Sequence, residues 1–244
     1  MRVWGPEVAR DYDVSSAEVF APEVLAPAVE FLARRAGGGP ALELAVGTGR
    51  VALPLSARGV PVSGIELSEH MAARLREKPG ADAVPVTIGD MAGATAPGCG
   101  GFRLVYLVYN TITNLLTQDA QVACFRNAAR HLAPGGEFVV EVFVPPLRSL
   151  PPGESARPFH VGEHRVGVDT FDVVHQRLVS HHYAVREGRG SVFRSEHRWA
   201  WPAELDLMAR LAGLEPAGRW AGWDGSPFTA ESTSHVSAWR LPQR

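Results

Sequence analysis

The stretch Ala41-Leu-Glu-Leu-Ala-Val-Gly-Thr-Gly-Arg50 decides the fold of this chain. It opens as a short apolar run after Gly39-Pro40, too brief for a helix and typical of a buried parallel strand. The strand breaks at Gly47-Thr48-Gly49, and residues 50–57 are predicted to form a helix. A glycine-rich turn between a strand and a helix lets a ligand approach bare backbone and directs the unpaired N–H groups of the helix towards it.

A second apolar segment, Val60-Pro-Val-Ser-Gly-Ile-Glu66, ends on an acid that lies 19 residues beyond Gly47. A carboxylate at about this spacing is placed to bind both hydroxyls of a ribose. The turn and the acid together predict a site for a nucleoside cofactor. The residues Gly47-x-Gly49-x-x-Ala52 also satisfy the dinucleotide fingerprint with alanine in third place, so the turn alone does not identify the nucleoside.

Three further features favour a cationic cofactor over a dinucleotide. Glu43 lies inside the first strand, where a carboxylate favours an amino or sulfonium group and offers nothing to a pyrophosphate. A third strand, Val84-Pro-Val-Thr-Ile-Gly-Asp90, ends in a second acid and is followed by Met91. A fourth strand, residues 102–109, leads into Asn110.

With these residues, the sequence resembles the class I S-adenosylmethionine-dependent methyltransferases. The resembling segments are Leu-Glu-Leu-Ala-Val-Gly-Thr-Gly (42–49), Gly-Ile-Glu-Leu-Ser-Glu-His-Met (64–71), Gly-Asp-Met (89–91) and Leu-Ala-Pro-Gly-Gly-Glu-Phe-Val-Val-Glu-Val (132–142). Each motif is loose, but four in the family's order and spacing are fairly specific. The resemblance implies S-adenosylmethionine as the cofactor and S-adenosylhomocysteine as its product.

The resemblance also implies an α/β fold: a Rossmann-like, mostly parallel seven-stranded sheet with the last strand antiparallel and helices on both faces. Residues 1–36 are then an N-terminal helical cover, 37–144 the cofactor-binding core and 201–244 its completion by a helix and strands six and seven. Between them, residues 145–200 change in composition to β-branched and aromatic residues. This segment is predicted to form about three antiparallel strands that cover the substrate.

The resemblance places the cofactor at the carboxyl ends of the first four strands and under the N-terminal cover. Glu66 is expected to hold the ribose, and Asp90 to accept the adenine amino group. Tyr12 has an alternative as an ordinary tyrosine of a packed helix, and Met71 as helix core. The predicted cofactor-binding residues are Tyr12, Glu43, Ala45, Gly47, Gly49, Arg50, Glu66, Leu67, Met71, Asp90, Met91, Leu107 and Asn110.

Acceptor candidates come from the end of the fourth strand, the loop 221–232 and the β-rich segment. His181 and His182 are adjacent on a predicted strand and point to opposite faces, so one of them is expected to face the acceptor. The alternatives are partly exposed strand histidines and a surface loop with buried aromatic residues. The substrate-binding candidates are Tyr109, Trp223 and Phe228, and the catalytic candidates are His182, His181 and Asp224.

Composition limits the partners. The 244 residues are 45% hydrophobic and carry a net charge of −2 without a basic run, which argues against nucleic acid. Six of the nine histidines lie in the β-rich segment without a ligand set at helical spacing, and two cysteines make no pair, so no metal is expected.

No apolar run is long enough for a membrane span, and a cytoplasmic protein is expected. The oligomeric state is open, with a homodimer as one option.

Methyl transfer from a sulfonium is an in-line displacement that needs mainly positioning and exclusion of water. The predicted function is methylation of an O or N atom of a small-molecule acceptor in secondary metabolism. One alternative is a protein of the same fold that binds the cofactor and catalyses a non-methylating reaction such as cyclisation. A minor alternative is an NAD(P)-dependent oxidoreductase, favoured only by the dinucleotide fingerprint.

Overall fold

The computed structural model describes residues 5–186 and 188–243 and contains two β-sheets. The helices are α1 (Pro6–Ser15), α2 (Ala17–Phe20), α3 (Pro22–Ala36), α4 (Ala52–Ala57), α5 (Glu69–Arg76), α6 (Gln118–His131) and α7 (Pro202–Leu211). The strands are β1 (Ala41–Leu44), β2 (Val62–Glu66), β3 (Val86–Ile88), β4 (Phe102–Leu107), β5 (Leu132–Phe143), β6 (Ala156–Val161), β7 (Arg165–Asp172), β8 (Arg177–Arg186), β9 (Arg189–Arg198), β10 (Glu215–Trp220) and β11 (Ser234–Arg240). None of the described helices is both long and apolar enough to cross a membrane.

The main sheet has the strand order β10-β11-β5-β4-β1-β2-β3. Strands β1 to β5 are parallel, and β11 pairs antiparallel with both β5 and β10. The predicted seven-stranded fold with an antiparallel last strand is therefore confirmed. The chain crosses from β3 to β4 on the other side of β1, so the strand order reverses between β1 and β4. In parallel sheets, the carboxyl ends of the strands at such a reversal form the ligand crevice.

Helices cover both faces of this sheet, and each face has its own core. Alternate residues of β1 point to opposite faces, so that Leu42 packs in one core and Ala41 in the other. Helices α6 and α7 close the first core, where Phe125 meets Phe138 and Trp239 edge to face at 5.0 and 5.2 Å between ring centroids. Helices α3 and α4 close the second. Burial on both faces explains why Glu43 is the one polar residue of β1.

The N-terminal segment is helical, as the sequence predicts. Helix α3 runs through Pro27 from Pro22 to Ala36. The helical segment is interrupted at Ser16 and Ala21, between α1, α2 and α3. Proline begins both α1 and α3, where its missing N–H costs nothing.

The inserted sheet has four antiparallel strands in the order β6-β7-β8-β9, one more than predicted. The additional strand, β6, lies in the proline-containing first part of the insertion. Pro158 is tolerated there because β6 is an edge strand, with a register shift between Pro158 and His160. Phe171, Leu178 and Trp199 form a small core that packs the insertion against the end of β5 at Phe143.

One strand boundary of the main sheet also differs from prediction. Strand β4 ends at Leu107 rather than at Tyr109, because Tyr109 adopts a φ of 56° and leaves the extended conformation. Strand β5 begins at Leu132, and its pairing with β4 includes an irregularity that the positive φ of Gly135 accommodates.

Candidate active site

The turn after β1 has a left-handed backbone at three positions. Ala45, Gly47 and Gly49 have φ values of 54°, 58° and 81°. A Cβ on Gly49 would lie 3.0 Å from side-chain atoms of Leu53 and Leu75, so the turn needs glycine there for packing. A Cβ on Gly47 would meet nothing closer than 3.7 Å, so Gly47 leaves bare backbone open to a ligand.

Glu66 at the end of β2 is joined to this turn. Its Oε2 accepts the N–H of Gly47 at 2.8 Å, and its Oε1 accepts the N–H of Ser68, also at 2.8 Å. The residue is 5% exposed, and burial raises its pKa while the backbone N–H groups of Ser68, Gly47 and Leu67 oppose the rise. The carboxylate is therefore fixed in orientation, and a further donor can bind only to the lone pairs that these three bonds leave.

Glu43 and Tyr106 form a buried pair beneath the turn. They are direct neighbours on β1 and β4, and the Tyr106 hydroxyl donates to Glu43 Oε2 at 3.0 Å. Burial raises the pKa of Glu43 to about 8, against the hydrogen bond from Tyr106 and the charge of Arg50. Burial thus disfavours the ionised form of the carboxyl group, and a cation placed beside it would favour that form.

The N-terminal helix α1 lies against the turn through three residues that we call the latch: Asp13, Thr48 and Lys78. The Thr48 hydroxyl donates to Asp13 Oδ1 at 2.6 Å. Lys78 Nζ lies 2.5 Å from Asp13 Oδ2 and donates to the Thr48 carbonyl at 2.7 Å. The neighbouring Tyr12 is half-buried; burial raises its pKa, and the charge of Glu66 adds to the rise. Helix α1 therefore covers the site that Glu66 and the turn form.

Breaking the latch is expected to weaken retention of a ligand under α1. Lys78→Met leaves the Asp13 carboxylate without its cation, so α1 should detach more often. The groups are partly exposed, and the loss should be about 1 kcal/mol, or roughly fivefold in affinity for S-adenosylhomocysteine, mostly through faster dissociation. Titration calorimetry measures the affinity for S-adenosylhomocysteine, and stopped-flow kinetics measures the rate of its dissociation. The matched control is Arg76→Met on an exposed position of α5, and equal affinities in the two variants would contradict the assignment.

Tyr109 and Trp223 come together at the carboxyl end of β4. The Glu141 carboxylate accepts the backbone N–H of Tyr109 and the indole N–H of Trp223, both at 2.7 Å. The Arg50 guanidinium lies 4.9 Å from the centroid of the Tyr109 ring. Asn110 Oδ1 accepts the N–H of Phe143 at 2.7 Å. A cavity of about 120 Å³ opens between these groups, lined by Val24, Ala28, Arg50, Val51, Val108, Tyr109, Glu141 and Trp223.

The other predicted cofactor residues differ in exposure. Leu67 is 63% exposed just after Glu66, whereas Met71 and Met91 are buried. Asp90 is exposed at the end of β3, and its Oδ1 accepts the N–H of Ala92 at 2.8 Å. Leu107 is fully buried, and its side chain belongs to the core beneath α6.

Strand register separates His181 from His182. His182 pairs with Phe193 and His197 with Leu178, so all four side chains share one face of the inserted sheet. That face carries the small core that packs on Phe143. His197 Nδ1 on this face lies 3.1 Å from Oγ1 of Thr113, a residue that follows the end of β4 in the chain.

His181 points to the opposite face, where its Nε2 lies 3.2 Å from Thr170 Oγ1. Burial lowers the pKa of His182, and it lowers that of His197 to about 4. Across the described residues, no three His, Cys, Asp or Glu side chains are grouped to hold a metal ion.

Two predicted residues of the loop 221–232 make their contacts away from Tyr109. The Phe228 ring packs 5.6 Å from His235, and the Arg219 guanidinium lies 5.8 Å from its centroid. Asp224 is exposed and accepts the N–H and the hydroxyl of Ser226, which lower its pKa. Both hydrogen bonds therefore join residues within the loop 221–232.

Several residues that lie at the carboxyl ends of the parallel strands were not among the predicted site residues. Glu141 carried the same signal as Glu43, a carboxylate near the carboxyl end of an otherwise apolar strand, and could have been selected for that reason. Asp13, Thr48 and Lys78 carry no such signal, because they meet only when α1 packs on the turn.

Comparison with known proteins identifies the family. Residues 41–136 match a family model described as a methyltransferase domain. The chain is also similar to the solved structure of the CcbJ methyltransferase from Streptomyces caelestis, with 36% identity, 98% of each chain covered and a TM-score of 0.87. The chain belongs to the class I S-adenosylmethionine-dependent methyltransferases.

Two further relatives of this methyltransferase are more distant. It is 28% identical over 232 residues to the cypemycin N-terminal methyltransferase of a Streptomyces species, covering 91% of this chain and 94% of the relative. It shares the fold of CalS10 from Micromonospora echinaspora, an amino pentose methyltransferase solved with S-adenosylmethionine bound, at 22% identity and a TM-score of 0.71, with 94% and 96% of the two chains covered.

The cofactor of the methyltransferase is S-adenosylmethionine, and the residues of the turn fit it. Glu66 presents a buried, oriented carboxylate with remaining lone pairs, as a ribose diol requires. Gly47 leaves backbone accessible beside it, and Glu43 supplies a carboxyl group whose ionised form a cation would favour.

Proposed function

We propose that the methyltransferase transfers a methyl group to an amino nitrogen of a small-molecule acceptor in secondary metabolism. The single observation that carries the cofactor chemistry is the buried Glu43 carboxyl group beneath the turn, which suits the cationic end of S-adenosylmethionine and offers nothing to a pyrophosphate. Two relatives support nitrogen as the target: one is named an N-terminal methyltransferase, and the acceptor that the name of the other gives, an amino pentose, carries an amino group.

The basicity of the available side chains also supports nitrogen over oxygen. A hydroxyl acceptor needs a general base, whereas an amine has only to arrive deprotonated. Burial lowers the pKa of the two histidines on the inner face of the insertion, His182 and His197, and so reduces their strength as general bases. They accept hydrogen bonds in their neutral form, which suits orientation of an amine better than deprotonation of an alcohol.

We assign the cofactor to the first three strands and the acceptor to the insertion and the loop 221–232. S-adenosylmethionine supplies a methyl group on a sulfonium, a leaving group that needs no further activation. Glu66 would bind the ribose, Glu43 the amino-acid ammonium, and α1 with Tyr12 would exclude water. His182 and Trp223 would face the acceptor, and the chain's main task is to orient the two reactants.

The test is a methylation assay with matched acceptors. Amino sugars, short peptides with a free N-terminus and their hydroxyl counterparts are incubated with S-adenosylmethionine, and products are identified by mass spectrometry. We expect methylated amines and one S-adenosylhomocysteine per turnover. For an amine acceptor, kcat/KM should fall about tenfold per pH unit below the acceptor's own pKa, because only the free base reacts.

Each alternative has a distinct outcome in the same assay. Turnover of the hydroxyl series alone would overturn the choice of nitrogen. An acceptor consumed without release of S-adenosylhomocysteine would support the non-methylating reaction. Micromolar binding of NAD(P) in calorimetry, without binding of S-adenosylmethionine, would support the oxidoreductase.

A further inference from the structure

Glu141 is the one described residue whose side chain joins the end of β4 to the loop 221–232. Its Oε2 accepts the backbone N–H of Tyr109 and its Oε1 accepts the indole N–H of Trp223, both at 2.7 Å. A carboxylate that accepts two N–H groups on separate oxygens fixes both donors in direction as well as in distance. Glu141 therefore sets the position of one acceptor candidate relative to the other.

The backbone that Glu141 holds is strained. Tyr109 and Asn110 are consecutive non-glycine residues with φ values of 56° and 61°. Such residues persist in the left-handed region only where surrounding contacts hold them. Three of the contacts come from the end of β5: the Glu141 side chain, the Glu141 carbonyl, which accepts the N–H of Asn110 at 3.2 Å, and the N–H of Phe143. On the other side of the turn, Thr113 donates its N–H and its hydroxyl to the Asn110 carbonyl at 2.9 and 2.7 Å.

The cavity beside Glu141 shows which parts of the fold surround Tyr109 and Trp223. Its lining comes from α3, the turn after β1, the end of β4, β5 and the loop 221–232. The Tyr109 ring is 44% exposed there and lies under the Arg50 guanidinium of the cofactor turn. The Trp223 ring packs edge to face on Phe31 of α3, with ring centroids 5.4 Å apart. Glu141 thus lies where the cofactor turn and the acceptor loop meet.

We propose that Glu141 is a positioning residue for methyl transfer: it holds Tyr109 and Trp223 in the one arrangement that orients the acceptor towards the cofactor. The proposal rests on the proposed function, since it assigns these two residues to the acceptor. Glu141 contacts neither reactant itself, and it acts through the strained turn and the indole.

The test is Glu141→Gln, because glutamine keeps the shape and replaces one acceptor oxygen by a donor. In protein labelled with 5-fluorotryptophan, the Trp223 fluorine resonance, assigned through Trp223→Phe, should shift while the other five tryptophan resonances stay. With an amine acceptor from the methylation assay, kcat should fall about 10- to 100-fold, as expected for misoriented reactants. Affinity for S-adenosylhomocysteine should change less than about twofold.

Glu137→Gln is the matched control. Glu137 lies on the same strand and face, is also buried, and binds Arg35 and Arg240 at the opposite edge of the sheet. The Glu137→Gln variant should lower the stability of the fold about as much as Glu141→Gln does, and it should leave kcat near the native value. The losses of kcat in Glu141→Gln and Trp223→Phe should be less than additive in the double variant, because both changes break the same Glu141–Trp223 hydrogen bond.

Three results would overturn the proposal: an unmoved Trp223 resonance, an equal loss of kcat in Glu137→Gln, or additive losses in the double variant. The fluorine spectrum needs no acceptor. A shifted resonance together with an absence of amine methylation would therefore count against the proposed function and leave the Glu141–Trp223 contact standing. If Glu141→Gln does not fold, Trp223→Phe alone should reproduce part of the kcat loss, and native kcat in that variant would also overturn the proposal.

Discussion

Gly47→Val is expected to abolish cofactor binding and to lower the stability of the fold. Gly47 has a φ of 58°, a conformation that a β-branched residue adopts only at a cost of about 1–2 kcal/mol. The new side chain would also occupy the open space where the backbone is bare. Because the Gly47 N–H donates to Glu66, any shift of the turn disturbs the ribose site as well. Affinity for S-adenosylhomocysteine should fall more than about 100-fold, about 2.7 kcal/mol.

Gly59→Val separates backbone strain from loss of the site. Gly59 has a φ of 85°, lies just after α4 and would meet nothing within 4 Å of an added Cβ. It should lose a similar amount of stability in thermal unfolding and bind S-adenosylhomocysteine as the native protein does. If calorimetry finds the same affinity for both variants, the turn at Gly47 is not the cofactor site.

The sequence predicted the parts of this fold whose signals are local. A run of apolar residues such as 41–44 indicates a strand buried on both faces, and glycine with an acid 19 residues later indicates a nucleoside site. The strand order is not local, and it came from the resemblance to a family. Strand β6 was missed because its residues are exposed and include Pro158, which normally argues against a strand.

The parts of the site that were missed depend on tertiary packing. Asp13 meets Thr48 and Lys78 across 35 and 65 positions of sequence, and no short pattern encodes that contact. Alternation predicts that His181 and His182 point apart, but it cannot say which faces the core. Packing decides this, because Leu178, which shares a face with His182, packs with Phe171 and Trp199 against Phe143.

Glu66→Ala is expected to remove most of the ribose recognition. Two charge-assisted hydrogen bonds are worth about 2–4 kcal/mol, or roughly 30- to 1,000-fold in affinity for S-adenosylhomocysteine. The variant also leaves the N–H groups of Gly47 and Ser68 without their acceptor, so stability should fall by about 1–2 kcal/mol. Glu69→Ala, at an exposed position in the first turn of α5, is the control and should bind normally.

A ligand–residue cycle separates ribose recognition from disorder of the turn. Native protein should bind 2′-deoxy-S-adenosylhomocysteine more weakly than the parent compound, because one hydroxyl has lost its partner. In Glu66→Ala the two ligands should bind about equally, since the carboxylate that distinguished them is gone. A variant that is weakened towards both ligands but still discriminates like the native protein would show that Glu66 supports the turn and that another group holds the ribose. The Glu66–Gly47 hydrogen bond makes that outcome physically possible, which is why a loss of affinity alone does not establish ribose recognition by Glu66.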